Sequence, residues 1–149
     1  HYERAEKLMP EDPALKIISA RLLIEQFAEY DQAIKKAKKV LQVIPDNPVF
    51  RHQAYITMGH AYLRKGSRDK AIESLKKSME GGFRGFITTK NIDFTLCEGV
   101  LKKGWAEADV RGFLEAAYKF AETCKEQTWV DTIKKMLDGF PKGEGQQDR

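Results

Sequence analysis

Long apolar runs are missing from this sequence of 149 residues. No stretch approaches the roughly 20 residues that a helix needs to span a bilayer, so insertion into a membrane is not expected. The opening His1-Tyr2-Glu3-Arg4 lacks both the layout of a secretory signal and an initiator methionine. An excised domain or a processed product is expected on that ground. Cysteine is scarce: Cys97 and Cys124 stand 27 residues apart, with no CxxC and no histidine at metal-ligand spacing. That usage points to free thiols in a reducing, cytoplasmic compartment, with a single structural disulfide left open. The histidines are His1, His52 and His60. The last two lie eight apart, without the four-residue spacing by which a helix chelates zinc. No glycine-rich phosphate loop and no Gly-x-Gly-x-x-Gly opens a helix, so no nucleotide or other cofactor is expected.

What is present reads as a folded chain. Hydrophobic residues make up 42% and charged residues 32%, too apolar for disorder and ordinary for one domain. The formal charge of +4 is modest and spread along the chain, which argues against a nucleic-acid partner. The densest basic run, Lys35-Lys36-x-Lys38-Lys39, has no interleaved aromatics to stack bases; it reads as a solvated helix face, the alternative being a patch for an acidic partner. Carboxylates alternate with lysines in the same solvated manner, and no acid–base pair or activated nucleophile stands out. An enzyme is therefore not expected.

One offset keeps returning, 38 residues. It relates Ala33 to Ala71 and Asp109, Ile34 to Ile72 and Val110, and Ala37 to Leu75 and Phe113. Helical spacing within each copy makes these one buried face of a second helix per unit. Upstream, the same shift relates Ala20 to Met58 and Leu96, and Ile24 to Tyr62 and Val100, giving the matching face of a first helix. Asp12-Pro13 and Asn47-Pro48 pair a capping side chain with a proline, so first helices should open there. Phe27 to Asp31, Lys65 to Asp69 and Lys103 to Ala106 hold equivalent places as the turns inside the hairpins, twice with glycine where a helix ends left-handed. The predicted fold class is all-α, built from antiparallel helical hairpins.

The residues Tyr55-x-x-Met58-Gly59-x-x-Tyr62, followed by Gly66, Ala71 and Leu75, resemble the tetratricopeptide repeat signature of W-x-x-L-G-x-x-Y, A-x-x-x-F and a closing proline. The first unit supplies Tyr30, Ala33, Val40 and Pro45 but has Arg21 where the signature has glycine. The third unit is degenerate, with Cys97 at the glycine position and Asp109 at the small one. Tyr2, Ala5 and Pro10 look like the tail of a further unit. The resemblance implies a right-handed superhelix forming one domain over residues 1–140: a partial repeat at 1–12, repeats at about 13–47, 48–85 and 86–126, and a capping helix at about 127–139. The cap is expected to bury Trp129, Ile133, Met136, Leu137 and Phe140, and residues 141–149 to form a flexible tail. Repeats of that family run to about 34 residues, so the surplus reads as a longer first helix. Gly59 should lie where the two helices of its hairpin touch, and Arg21 and Asp109 should loosen their crossings. The stretch Gly81-Gly82-Phe83-Arg84-Gly85-Phe86 reads as a wide connection with its aromatics tucked beneath it, rather than as a binding loop.

In that family the first helices line a concave groove, and carrying the offset onto them gives four columns. These are Ile18, Ile56 and Phe94; Ser19, Thr57 and Thr95; Leu22, His60 and Glu98; and Gln26, Arg64 and Lys102. Gln53 lies on the same helix as Ile56 and joins the candidate set. Ile18 and Leu22 could equally be covered by a neighbouring helix. Ile56 and Phe94 are expected to face the groove, so that alanine at both would remove partner binding at little cost in stability. One subclass clamps chaperone tails with a lysine where this sequence has Ile18, Ile56 and Phe94 and an asparagine where it has Leu22, His60 and Glu98, so that ligand is not expected. The implied function is a non-catalytic module that binds an unidentified protein or peptide through apolar contacts with a basic rim. A self-assembling scaffold, or homo-oligomer, is the alternative, and a helical accessory domain of a larger enzyme is a third reading.

Overall fold

The computed structural model describes residues 12–105 and 107–139. The unit tail read at Tyr2, Ala5 and Pro10, the cap residue Phe140 and the tail 141–149 lie outside the described residues. Among the described residues there are seven α-helices and one 3-10 turn, and no strand. The helices are α1 (Pro13–Phe27), α2 (Tyr30–Val43), α3 (Pro48–Lys65), α4 (Arg68–Ser78), α5 (Thr95–Lys102), α6 (Glu107–Thr123) and α7 (Gln127–Asp138); the 3-10 turn is Thr89–Asn91. None is long and apolar enough to cross a membrane.

The two proline starts behave as capping physics requires. Asp12 Oδ1 accepts from the N–H groups of Ala14 and Leu15 at 2.9 and 3.2 Å, and Asn47 Oδ1 accepts from Phe50 N–H at 3.0 Å. Each takes up donors that the first helical turn leaves without partners. The hairpin turns close on left-handed residues, Ala28 at φ 53° and Gly66 at φ 81°. Alanine pays a steric cost there that glycine does not.

Each first helix packs on its second helix, and α3 packs on both α1 and α5. The repeated apolar positions meet in the seams: Ala20, Ala33, Ala37, Ala71, Leu75, Leu96, Val100, Val110 and Phe113 are completely buried. Asp109 is half-buried and turns its carboxylate to Lys76 of α4 at 3.9 Å. The surplus length in the middle unit lies in its first helix, since α1 and α3 end 38 residues apart but begin at Pro13 and Pro48.

The third unit departs from the pattern. The residues equivalent to the start of α1 form the 3-10 turn, the chain breaks at Ile92–Asp93–Phe94, and α5 keeps only eight residues. Ahead of it, the glycine-rich connector carries Phe83 into the core at 1% exposure and half-buries Phe86, the tucked-under arrangement read from the sequence. Gly85 at φ 90° leaves no room for a side chain, because a Cβ there would meet Pro48 Cγ at 2.8 Å. The connector is tied to the end of α6 by Glu126, whose carboxylate accepts from Thr88 Oγ1 and from the N–H and Oγ1 of Thr89. The α7 helix packs on α6, burying Val130 and Ile133. Trp129, Met136 and Leu137 are half-buried, and Trp129 stacks on Phe94 with centroids 5.8 Å apart.

Gly59 is tight for a reason other than the expected one. A Cβ there would collide with Leu96 of α5, which belongs to the next unit's first helix and not to the hairpin partner α4. Gly99 mirrors it, since its Cβ would lie 2.6 Å from Leu63 Cδ2. Two leucines of opposite helices thus each fill the notch left by a glycine, which sets the close approach of α3 and α5.

Candidate functional site

The exposed face of the first helices is organised by a polar cluster that joins three elements. Arg21 occupies the 38-residue position of Gly59 and Cys97. Too long and too charged to stay in a seam, it reaches out of α1 to place Nη1 3.0 Å from Asp93 Oδ2 and Nη2 3.5 Å from Thr95 Oγ1. Thr95 donates its hydroxyl proton and its N–H to Asp93 Oδ1. Its oxygen lies 2.8 Å from His60 Nε2, and since the hydroxyl proton is already committed, Nε2 is the protonated ring nitrogen and donates. Burial pushes the Asp93 carboxyl up, but the Thr95 hydrogen bonds and the Arg21 guanidinium together outweigh it and hold the group below the ordinary carboxylate range. Burial, reinforced by Arg21, lowers His60 to about 4, so its ring is neutral at neutral pH.

Beneath this cluster His52 is 1% exposed. Its Nδ1 lies 2.9 Å from the Ser78 carbonyl oxygen at the end of α4, and its Nε2 accepts the Asp93 N–H at 2.9 Å. The ring packs among Phe83, Phe86 and Phe113. Burial also lowers its pKa.

Beside the cluster, α3, α5 and α7 border an open cleft of about 580 Å³. Trp129 and Met136 supply its apolar wall, and Gln53, Asn91, Thr95 and Glu98 its polar one. Arg64 and Lys102 are exposed at the C-terminal ends of α3 and α5.

The sequence-based columns divide on this geometry. Gln53 and His60 are half-buried on the face, and Thr95, Glu98, Arg64 and Lys102 are exposed on it. Ile18 is 39% exposed, Leu22 is half-buried and Gln26 exposed. Ile56, Thr57, Phe94 and Ser19 are buried instead: Ile56 and Thr57 are 0% exposed, Ser19 3%, and Phe94 8%, with only an edge at the wall of the cleft. Their assignment to a groove floor is corrected to core. The reason lies in the connectors. Ile56 shares a buried cluster with Phe83, Ile92 and Phe94, all supplied by the long connector after α4, whereas the short link Ile44–Asn47 brings no such cover to Ile18. Thr57 satisfies its buried hydroxyl on the Gln53 carbonyl at 2.8 Å. Alanine at Ile56 and Phe94 would therefore cost stability instead of leaving the fold intact.

Arg21, Asp93 and His52 are the residues that sequence reasoning missed as a cluster. A signal existed: an arginine in a register of small residues has to find a distant partner, and Asp93-x-Thr95 is a local capping pattern. Cys97 is a buried apolar filler whose thiol burial pushes well above the usual range. Both cysteines are free. Lys35, Lys38 and Lys39 are exposed on the outer side of α2. Among the described residues no three or more His, Cys, Asp or Glu side chains gather where they could hold a metal ion. Comparison with family models, with curated proteins and with solved structures finds no match to this chain.

Proposed function

We propose that this chain is a non-catalytic interaction module of tetratricopeptide type, which takes a segment of a partner protein along the exposed face of its first helices. The observation that carries this reading is the cleft between α3, α5 and α7, where half-buried Trp129 and Met136 lie beside the polar side chains of Gln53, Asn91, Thr95 and Glu98. Aromatic and methionine side chains at a partly desolvated surface are the usual anchors of protein recognition. Arg64 and Lys102, both exposed in the last turns of α3 and α5, favour a ligand that offers acidic residues beside apolar ones. Such rim charges act mainly on the rate of encounter.

Affinity capture from the native source tests the reading, with two surface variants: the exposed pair Arg64→Glu, Lys102→Glu, and Met136→Asp, whose melting temperature must match the wild type because Met136 packs against the core. Lys38→Glu, Lys39→Glu on the outer side of α2 is the control. A partner retained by the control and lost by both surface variants supports the module. Retention by all three, or a mass that doubles with concentration in light scattering without any partner, points instead to self-assembly.

A further inference from the structure

We propose that His52 is an acid-released latch that pins the start of α5 to α3: a second proton on its ring expels the Asp93 N–H from Nε2 and draws Asp93 away from Arg21 and Thr95. The two ring nitrogens face groups of opposite kind, a carbonyl oxygen at Nδ1 and an N–H donor at Nε2, each at 2.9 Å. Only the neutral ring protonated at Nδ1 satisfies both. A second proton must go to Nε2, where it meets the Asp93 N–H donor to donor. The surrounding Phe83, Phe86 and Phe113 rings, with centroids 5.4 to 6.2 Å away, offer the imidazole no acceptor in the closed arrangement. A buried donor without an acceptor is among the costlier defects in a fold.

The charged groups around the ring give the release a direction. Asp93 is the acid that faces it from the α5 side, and a charged imidazolium attracts that carboxylate out of its Arg21 and Thr95 bonds. On α3, Arg51 is engaged by Glu80 at 2.8 Å and lies near the Lys77 carbonyl. On α4, Lys77 lies 3.7 Å from Glu73. From α6 and the glycine-rich stretch 81–86, phenylalanine rings pack against the imidazole. His60, two turns along α3, bonds Thr95 and not this pair. Eight residues cannot hold a helix on their own propensity, so α5 depends on this anchoring. Burial lowers the His52 pKa, so the latch stays closed at neutral pH and opens on acidification. It rests on this geometry alone, whatever the neighbouring cleft binds.

Trp129, stacked on Phe94 next to Asp93, is the reporter once Trp105 is replaced by Phe in the full chain. On titration from about pH 7 to about pH 4, the Trp129 emission should shift to the red while most of the helical circular dichroism remains. His52→Gln keeps one donor and one acceptor but cannot titrate, and its emission should stay flat over the same range. His60→Gln should retain the shift. The same transition in His52→Gln, or a Trp129 change that coincides with loss of all helical signal, overturns the latch. If His52→Gln does not fold, the nitrogen-15 shifts of the wild-type ring decide. A neutral ring protonated at Nδ1 that gains its proton in step with the Trp129 shift supports the latch, and the other tautomer, or a ring still neutral through the shift, refutes it.

Discussion

The two halves of this molecule are packed by different means. Around α1, α2 and the outer side of α3, the buried cluster is built on Ala20, Ala33, Ala37, Ala54 and Ala61 with aliphatic partners, and its aromatics, Tyr30, Phe50, Tyr55 and Tyr62, are only partly buried. Around α5, α6 and α7, the core centres on Phe83, Phe94 and Phe113. Alanine seams let helices approach evenly and repeat, and a shared geometry follows from a shared register. The phenylalanine core fills an uneven space between a shortened helix and a long connector, and its shape depends on each ring. The offset finds the seams of both regions, but it does not foresee what the long connector covers.

The strongest way to break the comparison is to hollow out the aromatic side. Phe113→Ala, at a position with 0% exposure between Phe83, Phe94 and His52, should cost about 3–5 kcal/mol in urea titration. A loss below about 1 kcal/mol would mean that the region collapses around the gap as freely as a loose surface does.

At the joint between the halves, Gly59→Leu should cost roughly 1–3 kcal/mol by overpacking against Leu96, which is itself fully buried. The gain in helix propensity opposes this by up to about 1 kcal/mol. Net stabilisation would show that α3 and α5 can part without penalty.

Acid should weaken the joint before either core. The His52 and His60 pKa values lie below the ordinary value in the fold, so the unfolded chain takes up protons first as the pH falls below about 6.5. Stability then rises with pH across the window from about 4, the folded value of His60, up to that ordinary value. Each histidine contributes at most about 1.4 kcal/mol per pH unit. The lowered carboxyl of Asp93 acts in the same sense at still lower pH. Melting temperatures recorded against pH should show a shallower slope in His60→Asn, and an unchanged slope would remove His60 from this account.

The smallest effect belongs to the alanine-seamed side, where Lys65 at the end of α3 and Asp31 at the start of α2 form an exposed pair at 2.6 Å. Lys65→Ala should change stability by about 0.2–1 kcal/mol, read from chemical denaturation at low and high salt. A loss of several kcal/mol would assign that pair a role in the fold that its exposure does not suggest.

Much of this was legible in the residues themselves. Asp12-Pro13 and Asn47-Pro48 marked two helix starts, Gly66 marked a left-handed end, and the 38-residue offset found the alanines and leucines of the seams, because capping, proline geometry and helical period act over a few residues. Phe83 and Phe86 were read correctly as tucked beneath their loop. The candidate surface was half legible: Gln53, His60, Arg64, Thr95, Glu98 and Lys102 lie on the face, while Ile56, Thr57, Phe94 and Ser19 lie inside. An offset states which residues are equivalent, but burial depends on what covers them, and the covers of Ile18 and Ile56 are connectors of different length. The sequence by itself therefore determined an all-helical chain of hairpins and the residues that seam them. Only the tertiary structure decided that Gly59 answers to Leu96 of the next unit, that Arg21 finds Asp93 across 72 positions of chain, and that His52 lies between a carbonyl and an N–H. Those contacts join groups whose separation in sequence carries no periodic signal, and folding alone brings them together.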